Sequence, residues 1–290
     1  MDGMRGDPAA LLLLADSRLP AGGHAHSGGV EEAVRLGTVT DVDDLARFLR
    51  GRLATAGLVT AALSAAACEL AAAEDVRRRL WRRLDDEADA RTASPAQREA
   101  ARTQGRLLLR TARRLWPSAA LDTLARAIPE GPHHPIALGA AAASAGCEPQ
   151  QAALAAAYTS VTGPATAAVR LLGLDPVTVH RLLADLAPAL NDAAHAACAS
   201  LMDTVLTEPV RTDTVLMDGE PMDTRITDTT PTTPALNDPA GDSDPLPGDA
   251  PGSARTEWRG GWAGLPGHSA PALDLLAEGH LANPMKLFVS

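Results

Sequence analysis

A chain of 290 residues whose apolar side chains are mostly Ala and Leu, with only four Trp, one Tyr and two Phe, has little with which to fill the faces of a β-sheet. Ala and Leu are strong helix formers. The fold class expected is therefore all-α, a single bundle of about eight to ten short helices. Hydrophobic residues make up 46% of the chain, enough at this length for a sizeable core. Against 36 acidic residues stand 26 basic ones, a net charge of −10, which argues against nucleic acid as the main partner. Lys286 is the only lysine, so no P-loop can be built. Cys68, Cys147 and Cys198 lie too far apart for a disulfide framework or a zinc ribbon and read as small buried residues in a reducing compartment. The uncharged run Leu53–Cys68 falls short of the roughly 18 to 20 apolar residues of a membrane span. The apolar stretch Ala9–Ala15 is too brief for a secretory leader, so the expected location is cytoplasmic, with no membrane.

Three segments follow from composition. Residues 1–202 read as the helical domain. Residues 203–265 read as an acidic low-complexity insertion, expected to be disordered, since 203–257 carries 12 acids against three Arg and little to bury. Residues 266–290 supply a last helix, Pro271–Leu281, and an apolar tail that returns to the bundle or meets a partner. Within the first segment, Ser27 is expected to cap a helix carrying Val30, and Thr40-Asp41 another. Ser94-Pro95 opens a helix with Ala101, Gly105, Leu108, Ala112 and Leu115 on one face. Arg98, Arg102, Arg106, Arg110 and Arg113 form a parallel basic stripe, either a solvated face or a docking face for an acidic partner. Helices are also expected at Pro135–Ala145, Glu148–Val161, Pro164–Leu172 and Pro176–Met202, the last open to a break at Pro188. Gly146, Gly163 and Gly173 mark joints.

Residues able to do chemistry are few. His24 and His26 form a close pair in a Gly- and Pro-rich loop, but two imidazoles make a weak metal site without a third ligand. His133-His134 reads as ordinary loop, and no nucleophile motif is present. Taken by themselves, the residues point to a helical protein that binds other proteins.

The run Leu11–Glu31, with Leu19-Pro20-Ala21-Gly22-Gly23-His24-Ala25-His26-Ser27-Gly28-Gly29-Val30-Glu31 at its centre, resembles the opening of the urease accessory protein UreF family. Arg98-Glu99 to Leu109, Thr162–Leu174, Arg181-Leu182-Leu183, His280 and Lys286-Leu287-Phe288-Val289-Ser290 are similar to later family segments, in family order. His24, Gly28, Asp175-Pro176 and Val289 depart from the family pattern. The resemblance implies an all-α, non-enzymatic protein with no cofactor of its own. It implies a homodimer that bridges the UreD/UreH scaffold and the UreG GTPase, regulates GTP hydrolysis by that partner, and delivers nickel in transit to apo-urease. Partner-binding roles are carried over to Gly22, Gly23, His26, Ser27, Gly29, Glu31, Arg170, His280, Lys286, Leu287, Phe288 and Ser290. The metal candidates are His24 and His26. The alternatives are a nickel metallochaperone with its own His site and a nucleic-acid-binding regulator that uses the arginine stripe.

Overall fold

The computed structural model describes residues 8–73, 78–206 and 262–290. Among them are twelve α-helices and no strand: α1 (Pro8–Ala15), α2 (Val30–Arg35), α3 (Val42–Arg52), α4 (Leu58–Ala72), α5 (Arg78–Ala90), α6 (Pro95–Leu115), α7 (Ala119–Ala127), α8 (His134–Ser144), α9 (Pro149–Leu172), α10 (Pro176–Asp185), α11 (Ala187–Leu206) and α12 (Pro271–Ala282). A π-turn at Leu53–Gly57 joins α3 to α4 without a break. The acidic insertion expected at 203–265 lies, apart from its first and last four residues, outside the described residues.

The core is built on small side chains. Helix α4 packs against α8, α9 and α11, and Ala61, Ala62, Ala65, Ala66 and Ala67 are fully buried at those contacts. Helices α4 and α8 approach closely at Gly139, where a Cβ would stand 2.1 Å from the Ser64 carbonyl oxygen. Ser64 Oγ donates to the Pro135 carbonyl at 3.0 Å, so this buried hydroxyl in that seam is satisfied. The helix 42–72 contains a window long and apolar enough to cross a membrane, and 67% of that window is buried inside the bundle. Cys68 sits in this seam, where burial pushes its thiol up to about 12 and keeps it protonated.

Helix starts follow the sequence signals in several places. Asp41 accepts from the Asp44 amide, Ser94 from Gln97, and Asp175 from Val177 and Thr178. The departure Asp175-Pro176 thus forms a cap followed by a proline in the first turn. Other expectations fail. Helix α2 has Gly29 as its N-cap, with no side-chain cap, and Ser27 does not cap it. Helix α7 is absent from the sequence reading, although Ser118 caps it by accepting from Leu121. The division after Pro176 falls at Leu186, and Pro188 lies in the first turn of α11.

The joint expected at Gly163 does not exist, because α9 runs unbroken through Pro164. A proline inside a helix removes one N–H and orphans the carbonyl four residues earlier. That carbonyl belongs to Ser160, and Arg52 Nε donates to it at 2.8 Å. Arg52 Nη1 donates to the Gly28 carbonyl at 2.9 Å. No carboxylate among the described residues pairs with this guanidinium, and burial pulls its pKa down to about 10, which still leaves it charged at neutral pH.

The arginine stripe is largely consumed inside the fold. Arg102 bridges Asp85 and Asp89, Arg113 meets Asp122, Arg106 reaches the Glu130 carbonyl, and Arg98 reaches the Thr92 carbonyl. Arg91 performs a related task for the returning chain, donating to the carbonyls of Trp262, Leu265 and Pro266. Helix α12 is held at the start of α6: Glu278 accepts from Ser94 Oγ at 2.6 Å and from the Ala96 amide at 3.0 Å, and Asp274 from the Ser94 amide at 3.3 Å.

Two predictions follow from these contacts. Replacing Arg52 by Met orphans two carbonyls and should cost about 2–5 kcal/mol in denaturant unfolding. In a Pro164→Ala background the same replacement should cost at least about 1 kcal/mol less, because the restored Ala amide bonds the Ser160 carbonyl. The hydrogen bonds from Ser94 and Ala96 hold the Glu278 carboxyl below its ordinary 4.5, with the charge of Arg98 helping. Its depressed value means that the folded form binds fewer protons than the unfolded one. The stabilisation is complete above 4.5 and disappears as pH falls below it. Glu278→Gln should flatten the loss of thermal stability over that acid range.

Candidate partner-docking site

The loop between α1 and α2 and the C-terminal tail form one structure. Gly22 and Gly29 adopt φ of 78° and 90°, which turns the chain sharply into a 3-10 turn at Gly23–Ala25 and then into α2. Gly23 has an ordinary φ and open space around it, so the turn does not require glycine there. Gly28, a departure from the family pattern, has a φ of 61°, and a Cβ on it would meet the Pro164 ring at 2.8 Å.

The tail lies along this loop. The Val289 amide donates to the Ala25 carbonyl at 2.7 Å, and the Ser27 amide donates to the Ser290 carbonyl. Glu31, buried in the first turn of α2, accepts from the amides of Leu287 at 2.5 Å and Phe288 at 3.1 Å. His280, buried on α12, sets Nδ1 3.4 Å from Glu31 and Nε2 3.2 Å from the Phe288 carbonyl. His26 Nδ1 lies 2.5 Å from Ser290 Oγ. Lys286 Nζ donates to the Leu281 carbonyl at 3.3 Å.

The structure therefore brings together His26, Ser27, Glu31, His280, Leu287, Phe288 and Ser290, which the sequence reading named from both ends of the chain. It gives several of them a different part. His26, Ser27 and Glu31 are buried and engaged with the tail through side chain or backbone, so they position the surface rather than form it. The outward groups are Met285, Leu287 and Val289, at 83%, 79% and 57% exposure, while Phe288 is half-buried. Arg170 is exposed in the last turn of α9, with no ion-pair partner among the described residues, and meets the site only through the wall of the cavity behind the tail. The side chain of His24 lies outside what the structure describes.

Behind the tail opens a cavity of ≈ 1460 Å³, with His26, Arg52, His134, Arg170 and Phe288 in its wall. His134 lines this cavity, and burial, aided by the charge of nearby His26, lowers its pKa to about 4. The imidazole is thus neutral at physiological pH. The sequence reading took His133-His134 for ordinary loop; instead His134 begins α8, and His133 is buried against Asp85. Nothing local in the sequence marks either role, since Asp85 lies 48 residues from His133.

Removing the Glu31 carboxylate takes away two charge-assisted hydrogen bonds, each worth about 1.5–3 kcal/mol. In Glu31→Ala, amide exchange at Leu287 and Phe288 should accelerate at least tenfold while protection across α4 and α8 is unchanged.

The family model described as UreF matches residues 39–187, which takes in α3 to α10. The chain is 50% identical over 203 residues to the urease accessory protein UreF of Mycobacterium sp. (strain JLS), covering 68% of this chain and 89% of that protein. It is 46% identical over 202 residues to the protein of that name from Mycobacterium marinum, covering 70% of this chain and 90% of the relative. The protein of that name from Mycolicibacterium vanbaalenii is likewise 46% identical, over 205 residues, again covering 70% of this chain and 90% of the relative. By family match and by identity over most of its relatives' length, the chain belongs to the UreF family of urease accessory proteins.

Proposed function

We propose that this chain is a non-catalytic scaffold of urease maturation that works in the cytoplasm as a homodimer. It bridges the UreD/UreH scaffold and the UreG GTPase, regulates GTP hydrolysis by UreG, and passes nickel, its cargo, towards apo-urease. One observation carries this reading. An apolar tail is pinned by its backbone to Glu31, His280 and the α1–α2 loop, so that Leu287 and Val289 are held outward on a rigid support. Ordering a docking segment in advance lowers the entropic cost of binding. The cavity behind the tail supports transit of a metal ion, because the neutral imidazole of His134 and a few other polar groups in a largely apolar wall offer weak, exchangeable contacts.

The engagement of the arginine stripe with Asp85, Asp89 and Asp122 weighs against a nucleic-acid regulator, for which those guanidinia would need to be free. The contact of His26 with Ser290 weighs against a metal site built from His24 and His26.

Co-purification with UreD/UreH and UreG tests the reading. The full chain should retain both partners, and a chain lacking Lys286–Ser290 should lose UreD/UreH. Leu287→Asp puts a charge where an exposed Leu would be buried, and should weaken capture of UreD/UreH at least tenfold without changing the thermal melt. Unchanged capture by both variants would remove the docking role from the tail.

A further inference from the structure

A cluster formed by α5, α6 and His133, which precedes α8 and also lines the cavity behind the tail, has no assigned part in the reading above. Asp85 and Asp89 stand four residues apart on α5, which places them on one face. Arg102 spans them, with Nη1 2.8 Å from Asp85 Oδ2 and Nη2 2.6 Å from Asp89 Oδ2. A guanidinium fork used in this way fixes both carboxylates and leaves an Oδ1 of each directed elsewhere. Both Oδ1 atoms turn to His133, whose side chain is 2% exposed. Asp85 Oδ1 accepts from the His133 amide at 2.8 Å and lies 3.1 Å from Nδ1. Burial raises the Asp85 pKa, but the bonds from His133 and the charge of Arg102 outweigh it and hold this carboxyl below its ordinary range.

The other ring nitrogen is the unexplained atom. His133 Nε2 is buried, lies 3.2 Å from Asp89 Oδ1, and makes no hydrogen bond. A buried ring nitrogen close to a carboxylate oxygen but badly directed for a hydrogen bond is costly. The same separation is natural for two ligands of one ion. Donors about 2.1 Å from a metal stand about 3.0 Å apart at a right angle and about 3.4 Å apart at the tetrahedral angle.

We infer that Asp85, Asp89 and His133 form a binding site for a divalent first-row transition metal. One donor atom from each residue can be chosen so that all lie within 4.8 Å of one another. His133 Nε2 and Asp89 Oδ1 are the primary ligands. Asp85 sets the ring through Nδ1, the carboxylate–histidine–metal arrangement, and stands within reach as a third donor. An adjoining opening of ≈ 390 Å³ is lined by Asp85, Asp89 and Arg102, together with Asp86 and Glu130, and gives water room to complete the coordination. Arg98 Nε also lies 3.9 Å from Asp89 Oδ1, so the charges of the two carboxylates and two guanidinia balance, and the donor set rather than net charge selects the ion. One imidazole with carboxylate oxygens suits zinc, nickel or cobalt better than a soft monovalent ion.

The full chain, stripped with chelator and titrated with Co²⁺ under visible absorption and with Zn²⁺ by equilibrium dialysis, should bind one equivalent. Asp89 is partly exposed, so Asp89→Asn should keep the fold and weaken binding at least tenfold with an unchanged melt. A His24→Ala, His26→Ala double variant should bind as the parent does, which separates this site from the loop histidines. In the unaltered chain, bound Co²⁺ should shift the His133 ring protons in the NMR spectrum, a readout that needs no variant. Only weak, non-stoichiometric uptake, unaltered binding by Asp89→Asn, loss of binding with the loop histidines, or an unshifted His133 would overturn the assignment. None of these outcomes bears on whether the tail holds UreD/UreH.

Discussion

The guanidinium of Arg52 ties the deep part of the bundle to its outer end. It supplies the donor that Pro164 takes away from α9, and the same group holds the Gly28 carbonyl at the entry to α2. Without that donor, a proline at this place would leave the Ser160 carbonyl unpaired in the interior, and a 24-residue helix would become two short ones. The opposing helix adapts to the same spot. Its π-turn begins at Leu53, directly after Arg52, and a Cβ on Gly57 in that turn would stand 3.0 Å from Ser160 Oγ, a tight contact. Helices 42–72 and α9 are therefore both irregular where they meet, and each irregularity accommodates the other.

From this point the loop is set, and from the loop the tail. Gly28 lies against the Pro164 ring, so the backbone of the α1–α2 loop is placed by the proline-containing part of α9. Glu31 follows three residues later and gathers the amides of Leu287 and Phe288. The two ends of the described chain meet through contacts between residues more than 250 apart, and they are braced by α12, whose Glu278 and Asp274 cap α6. The placement of the outward-facing apolar residues is thus a property of the whole bundle and not of the tail alone.

Much of the fold could be read from residue order. Ala and Leu dominance decides for helices, Ser94-Pro95 and Asp41 mark helix starts through short-range caps, and Gly173, with a φ of 65°, ends α9. These signals act within three or four residues, the range over which sequence is informative by itself. Pro164 deceived because a proline breaks a helix only if no distant donor rescues the freed carbonyl, and that donor lies 108 residues away. Ser27 deceived because its surroundings, not its propensity, decide its fate: it is fully buried and its amide serves Ser290. Of the candidate site, the residues were legible through their resemblance to a family pattern, but their division into supports and outward surface was not. Nothing in the spacing of Glu31 or His280 reports that they face inward. The Asp85, Asp89 and His133 cluster was equally hidden, since two elements separated by α6 and α7 supply it.

The manner in which the tail is tethered restricts how any other molecule can read it. The amides of residues 287, 288 and 289 are all engaged by the body of the protein, and so are the carbonyls of Phe288 and Ser290. A visiting chain therefore finds few free main-chain groups along this stretch with which to extend it as an added strand. Recognition here must run through side chains, so it tolerates drift in the visitor's backbone but not a change in the shape or polarity of the apolar groups on display.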